Sequence, residues 1–597
     1  MRKKRKKKQP FRGRFYLLAV FYYGFFLLLG LRLFYLQLWQ HRFYLALAEN
    51  QHWRREILPA QRGRILSHDY YPLADNLTTY RLFLILPQFS LSEAKEKTLL
   101  SSGVELKQFS PWQELKNFLL QEKVWSEEEG EKMEEQLQKI LAGGRIQWLL
   151  IAREVGEESR EKLEKMFRGI YLQPEANRLY PEGKLAAQVL GFLGENEEGE
   201  AQGYFGLEGF YNGDLQGQEG WRFWEKDALG NPIPLGIYRL QPPRDGRDLV
   251  LTIDRNLQYL LEEKLNAGVE KYGAKSGTFV LLDPTSGAVL AMASVPSFLP
   301  SQWREEEEEN LVNRAIGQTY EPGSVLKVLT MGAALEEKVV EPQTRCPCQG
   351  PLTIQGHTIR TWNDRYYPQE TMAEILQHSD NVGAAWVARK LGLSRYLKYL
   401  QRAGLGEKTG IDLEGEEAGI VKPAEDWQEI DLATAAFGQG ISVTPLQLSL
   451  IFAAVANGGL KPQPYVVEKL IDNGREIKLS HRPPQRLFSE KTSAILRQML
   501  RDVIRKGEFK WFVRQAGLEN FPLAGKTGTA QIPRAGGYDP RKTNVTFVGF
   551  APLKQPRFVL LVKLEEPTAS IYSAETAAPL WLEMVKELIL YFNLTPE

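Results

Sequence analysis

Phe15 to Leu31 holds no charged side chain, and after a single Arg32 the apolar character runs on to Trp39. A helix of this length spans the hydrocarbon core of a bilayer, with Arg32 close enough to the far interface to snorkel. Whatever else the chain folds into is therefore tethered beside a membrane. Residues 1–14 carry nine Lys or Arg and no acid, which predicts a cytoplasmic tail and places everything beyond Trp39 outside. A cleaved signal peptide is the rival reading, and Ala46-Leu47-Ala48 resembles a cleavage site. The apolar run is too long for one, and His41 and Arg42 intervene. Residues 15–39 read as a retained transmembrane anchor.

The charge balance excludes one class of partner. Taking the nine tail cations from the 75 basic residues leaves 66 against 74 acids, a net of −8 for the body. An acidic body is not built for nucleic acid. Metal chemistry finds no ligands either. The only cysteines form Cys346-Pro-Cys348, too close for an unstrained disulfide, and the six histidines are scattered. No metal and no cofactor is expected.

Residues 40–246 read as an elongated, mixed, extracytoplasmic module. It opens with a short strand pair, Gln61–Leu66 and Pro72–Ala74, followed from about Leu91 to Phe167 by charged, helix-forming sequence. The Glu127–Glu135 acids mark a solvated helical face. A second domain, 247–597, starts at the strand Asp248–Asp254 and the helical stretch Arg255–Val269. A hairpin turns at Pro284–Gly287. Strands at Thr546–Phe550 and Phe558–Leu564 and an amphipathic helix over Pro579–Phe592 close the chain. Strands first and last around a helix-rich middle predict an α+β domain with one sheet built from both ends.

The middle carries the chemistry. In Tyr320-Glu-Pro-Gly-Ser-Val-Leu-Lys-Val-Leu-Thr-Met-Gly-Ala-Ala-Leu335, Pro322 and Gly323 interrupt the chain and a helix apolar on nearly every side follows. Ser324 and Lys327 fall three apart, on one face. Burial lowers a lysine's pKa, and a neutral amine beside a hydroxyl makes a nucleophile and its base. Ser92-x-x-Lys95 and Ser159-x-x-Lys162 repeat the spelling in charge-rich sequence and read as solvated helix. Two further motifs follow. Ser379-Asp380-Asn381 supplies a hydroxyl to relay a proton and an amide to hold Lys327. Lys526-Thr527-Gly528-Thr529 sits in a Gly-punctuated strand that offers positive charge, two hydroxyls for a substrate carboxylate and an edge for strand addition. Lys408-Thr409-Gly410 spells the third motif again in a polar turn and reads as structural.

These three motifs, in this order, resemble class B penicillin-binding proteins. The resemblance extends to the anchor, Arg62-Gly63-x-Ile65, Arg178–Pro181, Gly206-Leu-Glu208, Leu251–Asp254 and Phe437–Gln447. It implies a serine transpeptidase (β-lactamase-like) fold, an antiparallel sheet flanked by helices, preceded by a dimerisation-type pedestal. It implies Ser324 as the acylated nucleophile, Lys327 as its base, Ser379 and Asn381 in the proton network, and Lys526 on the opposite wall. Thr527, Gly528 and Thr529 would bind substrate, and the backbone N–H groups of Ser324 and Thr529 would form the oxyanion hole. The reaction would cross-link peptidoglycan stem peptides ending in D-Ala-D-Ala, with β-lactams acylating Ser324 as mimics. A SEDS-type glycosyltransferase and other wall-synthesis or division proteins are the implied partners. The Ser379–Gly383 and Thr546–Pro552 contexts look more like the division branch than the elongation branch. Ser67-His68-Asp69-Tyr70 departs from the family's usual Asp-Arg-Asn-Gly, away from the catalytic motifs. A D,D-carboxypeptidase or β-lactamase would share the three motifs. The Glu262-x-x-Leu265-Asn266 match to a lactamase loop, however, precedes Ser324. A β-lactam sensor or silent scaffold is the non-enzyme alternative; all motif residues are present, against a silent scaffold.

Overall fold

The computed structural model describes residues 12–45, 53–92, 95, 110–143, 148–225, 233, 236–534 and 536–596; the basic tail up to residue 11 lies outside the described residues. The chain divides into two compact units, Met1–Ala60 with Gly217–Asp245, and Gln61–Gln216 with Gly246–Glu597. In the first, the helix Arg12–Phe34 continues into a π-helical turn over Tyr35–Trp39. It is the one helix among the described residues long and apolar enough to cross a membrane, and its side chains pack against no protein. The same unit holds a three-stranded antiparallel sheet in the order Trp53–Leu58, Gly220–Glu225, Tyr238–Gln241.

The second unit contains two large sheets and, among the described residues, four two-stranded ones. The larger runs Arg475–Lys478, Val467–Asp472, Asp248–Leu251, Ile65–Leu66, Pro72–Ile85, Trp148–Val155, with Ile170–Leu179 also paired to Pro72–Ile85. The expected strand pair is there, Ile65 opposite Ala74. Ile65–Leu66 also pairs in parallel with Asp248–Leu251, so this sheet takes strands from both sides of Arg247. One stretch departs from the sequence reading. Within the supposedly helical 91–167 region, Trp148–Val155 is a strand whose Ile151, Ala152 and Val155 are buried with Leu115, Phe118 and Leu163 of the neighbouring helices. Its β-branched and aromatic residues gain more from that packing than the flanking charges gain from a helix. The helix Glu127–Gly143 does present its acids to solvent, with Glu128–Lys132 and Glu135–Lys139 pairs one turn apart.

A buried ion cluster ties this region together. Arg62 Nε donates to Glu208 Oε2 at 2.7 Å and Arg178 Nε to Glu208 Oε1 at 2.7 Å. Arg62 also reaches Asn212, and Arg178 reaches Asn76. Gly203 is required beside it, because a Cβ there would lie 1.9 Å from the Glu208 carbonyl oxygen.

The smaller of the two large sheets is the framework of the site. Helix α1 (Arg255–Tyr272) starts where the Asp254 side chain accepts the N–H groups of Asn256 and Leu257, and stops at Gly273 in the left-handed region. Strands β1 (Ser276–Leu282) and β2 (Val289–Val295) form the expected hairpin. Helices α2 (Lys327–Glu336), α3 (Asn381–Leu391) and α4 (Pro445–Ala456) are among those of the middle. Strands β3 (Ala524–Arg534), β4 (Gly537–Ala551) and β5 (Phe558–Glu565) and helix α5 (Ala577–Tyr591) complete it. The order is β2-β1-β5-β4-β3, antiparallel throughout, so both ends of the domain share one sheet as the sequence predicts, except that the first expected strand, Asp248–Leu251, lies in the larger sheet. The central strands are apolar on both faces because both are covered. Helices α1 and α5 cross one face, close enough that a Cβ on Gly268 would meet Leu580. Helix α4, capped by Thr444 and Gln447 and buried along its whole length, packs on the sheet as well.

Candidate active site

Pro322 and Gly323 open a 3₁₀ turn, Gly323–Leu326, that runs directly into α2. Gly323 has φ +58°, and a Cβ on it would lie 2.8 Å from the Thr529 carbonyl oxygen. Gly438, at φ +81°, presses against the backbone of Gly323 from the other side. Only glycine fits this squeeze, which sets Ser324 beside β3. Every residue of α2 except its last is buried, as its apolar sequence predicts, and Lys327 is 1% exposed. Its Nζ lies 3.0 Å from Ser324 Oγ, 2.8 Å from Asn381 Oδ1, 2.5 Å from the Ser379 carbonyl oxygen and 3.4 Å from Ser379 Oγ.

Ser379 sits between two short helical elements in the left-handed region, φ +56°, an uncommon conformation for a side chain of this kind. The helix before it, Met372–Gln377, begins in a Thr371–Glu374 capping box; the helix after it, α3, is capped by Asp380 on the Val382 N–H. From the opposite wall Lys526 donates to Ser379 Oγ at 2.9 Å and approaches the Thr527 carbonyl oxygen at 3.2 Å and hydroxyl at 3.3 Å. One hydroxyl thus stands between two amines. Ser324, Lys327, Ser379, Asn381 and Lys526, far apart in sequence, meet in one cluster.

Two buried ammonium groups this close are costly, and their pKa values show it. Burial drives Lys327 well below its usual value and the nearby Lys526 lowers it further, against the pull of Asp380, Glu370 and Glu508. Burial brings Lys526 down to about 8, with Glu508 opposing. Both amines are thus pushed toward the neutral form, Lys327 by burial and by Lys526 together. Glu508 itself is raised by burial although both lysines draw it down. No motif marks it, since it is a single acid in a turn after a surface helix. Its signal lies only in the fold.

Strand β3 ends the sheet and pairs with β4 alone, leaving its other edge unpaired in the sheet. Thr529 Oγ1 accepts the Ser573 N–H at 3.1 Å. Gly528 has a packing role in the strand. A Cβ there would lie 2.6 Å from Val325 Cγ2 and 2.9 Å from the Pro322 carbonyl oxygen, so its bareness lets the Ser324 turn dock on the strand. The look-alike motifs stand elsewhere. Glu416 takes the N–H groups of Thr409 and Gly410, closing that turn. Ser159 and Lys162 both bind Glu122, and Lys95 pairs with Glu114. Glu262 lies in α1, accepting from Ala186 N and Gln258. Cys346 and Cys348 are joined to each other despite their closeness in sequence.

Comparison with known proteins gives two family matches, a penicillin binding protein transpeptidase domain over residues 277–586 and a penicillin-binding protein dimerisation domain over residues 57–251. Stage V sporulation protein D of Bacillus subtilis is 30% identical over 580 residues, covering 96% of this chain and 84% of that protein. Peptidoglycan D,D-transpeptidase FtsI of Escherichia coli is 31% identical over 461 residues, covering 77% and 75%. Penicillin-binding protein 3 of Mycobacterium tuberculosis, solved with aztreonam, superposes with a TM-score of 0.66 at 25% identity over 91% of this chain and 98% of that one.

Proposed function

The chain belongs to the penicillin-binding protein transpeptidase family and is a membrane-anchored peptidoglycan D,D-transpeptidase, and on that premise we propose that Ser324 is the residue it acylates. The observation that carries the assignment is the contact of the buried Lys327 amine, its pKa pushed well down by burial, with Ser324 Oγ at 3.0 Å. Lys327 takes the hydroxyl proton as Ser324 Oγ attacks the carbonyl carbon between the two terminal D-Ala residues. Ser379, hydrogen-bonded to both amines, passes a proton to the departing D-Ala amine as the peptide C–N bond breaks and the Ser324 ester remains. An amine of a neighbouring stem then attacks the ester, and the same groups return the proton to Ser324. The backbone N–H groups of Ser324 and Thr529 hold the oxyanion, and Lys526, Thr527 and Thr529 hold the donor along the free edge of β3, with Gly528 setting its distance from Ser324. Asn381 fixes the Lys327 amine. The energy of the peptide bond broken suffices for the one made, so the step calls for no nucleotide.

Residues 15–39 form a single-pass anchor with a cytoplasmic N-terminus, 40–246 the pedestal and 247–597 the catalytic domain; the basic tail supports this orientation. A septal role, with a SEDS-type glycosyltransferase and division proteins as partners, is supported by the likeness to FtsI. The longer match to a protein named for sporulation supports a second reading, a role confined to that stage. Depletion during vegetative growth separates them: filaments favour the first, normal septa the second.

Intact-mass measurement of the full chain with a penicillin, followed by peptide mapping, tests the chemistry. One persistent adduct on the Ser324 peptide is expected. An adduct on another residue overturns the assignment, and rapid loss of the adduct makes the protein a hydrolase. Gly528→Ala is expected to slow adduct formation at least about tenfold, because a misplacement of even 1 Å at the nucleophile costs up to about 10²-fold. Stopped-flow fluorescence with a labelled penicillin reads it.

A further inference from the structure

Glu370 and Asp380 lie directly behind the Ser379–Asn381 turn, 3% and 1% exposed, with their carboxyl groups in contact. Their outer oxygens are accounted for. Glu370 Oε2 meets His378 Nδ1 at 3.1 Å, and Asp380 Oδ1 accepts the Val382 N–H at 2.8 Å. The other two, Glu370 Oε1 and Asp380 Oδ2, are fully buried and have no donor from the rest of the protein. Two bare carboxylate oxygens brought together in a dry interior repel, whereas one proton between them makes a charge-assisted hydrogen bond. We propose that Glu370 and Asp380 share a single proton between Oε1 and Oδ2, so that the pair carries one negative charge and positions the Ser379–Asn381 turn against Lys327.

The surroundings agree with this count. Burial, reinforced by Asp380, pushes the Glu370 carboxyl up, which favours a proton held within the pair. Burial lowers His378, leaving a neutral ring whose Nδ1–H can donate to Glu370. The other charged groups facing the pair are Glu374, held in its capping box, and Lys327, with Lys526 and Glu508 beyond it. Arg345 is occupied by the Gln369 carbonyl oxygen. The Glu370 carbonyl oxygen accepts from Cys346, and Asp380 N–H donates to Ile375, so the shared proton joins two backbone segments on either side of the strained Ser379. Electrostatically, one anion balances the Lys526 cation. A second would draw a proton back onto Lys327.

The pair is a positioning device, and its charge can be counted by substitution. On the proposed count, Glu370→Gln and Asp380→Asn each remove the shared proton along with one carboxyl group, so either variant keeps one negative charge. The double variant keeps none. The acid limb of the pH profile for acylation of the full chain by a fluorescent penicillin follows the deprotonation of Lys327, a use that rests on the function proposed above. Each single variant is expected to leave the limb where it is, whatever the height of the profile. The double variant is expected to move it to lower pH by on the order of one unit, since an anion favouring charged Lys327 is lost. A shift in either single variant means two charges and overturns the proposal. An infrared difference spectrum of wild type minus Glu370→Gln decides independently of acylation and of whether the double variant folds. A protonated-carboxyl C=O band at mildly alkaline pH is expected, and its absence overturns the proposal. If wild type shows the band but no acylation, the assigned function fails and the shared proton stands.

Discussion

Lys327→Met lowers the rate at which Ser324 is acylated by about 10²–10⁴-fold, the range that removal of a positioned general base produces. The side chain is nearly isosteric along its stem, so α2 keeps its packing and the loss falls on the amine. No other group can take its place at Ser324. Lys526 contacts Ser379 rather than Ser324, and its pKa of about 8 leaves it mostly charged at neutral pH. The residual rate should therefore lose the acid limb that marks Lys327 deprotonation. Stopped-flow acylation by a fluorescent penicillin over a pH series measures both features. A variant that keeps the wild-type rate would remove Lys327 from the base role.

The same substitution has a signature in stability. The folded state holds Lys327 well below the 10.5 of the free side chain. Between those two values the unfolded chain binds more protons than the folded one, so wild-type stability rises with pH through that window. The methionine variant has no such group. Wild type should thus gain stability relative to the variant as pH approaches 10.5, and the difference should be constant below the folded pKa. Thermal unfolding of both proteins in detergent across that range shows the sign.

The parts of the site legible in the sequence are those written in short segments. Ser324 and Lys327 declare themselves because three residues of helix put them on one face and the neighbours are apolar. Lys526 and Thr527 lie in one strand whose glycines announce close contact, although what contacts Gly528 is Val325 and Pro322. What could not be read depends on folding back. Glu508, Glu370 and the left-handed turn at Ser379 acquire meaning only from burial beside residues distant in the chain. The same holds for the strand Trp148–Val155. Its own apolar residues are too few to outweigh the charged sequence around them until Leu115, Phe118 and Leu163 cover them. The sheet of the catalytic domain was legible at both ends because its strands are buried on both faces and read as continuous apolar runs.

Glu208→Gln is expected to cost about 3–5 kcal/mol of stability, the penalty for breaking a buried ion pair from one side. Glu208 is fully buried, and Arg62 and Arg178, 9% and 3% exposed, bind one oxygen each. An amide neutralises the only anion between two guanidinium groups and turns one oxygen into a donor facing Arg62 or Arg178. Burial alone would raise the Glu208 pKa, but the coulombic pull of Arg178 and Arg62 overcomes it and holds the carboxyl below 4.5. A carboxylate with a depressed folded pKa contributes its stability above the unfolded value and loses it as pH falls through the folded one. Wild type should therefore weaken on acidification in a range where the variant, already neutral, does not respond. Hydrogen exchange of the segments 61–66, 170–179 and 206–216 locates the loss, and the effect should be largest there. The cluster is a matter of pairing rather than of net attraction, because desolvating three charges consumes most of the coulombic gain. Replacing Arg62, Glu208 and Arg178 together by methionine should then recover much of what Glu208→Gln alone removes. If the triple variant is worse than the single one, the charges stabilise the fold outright.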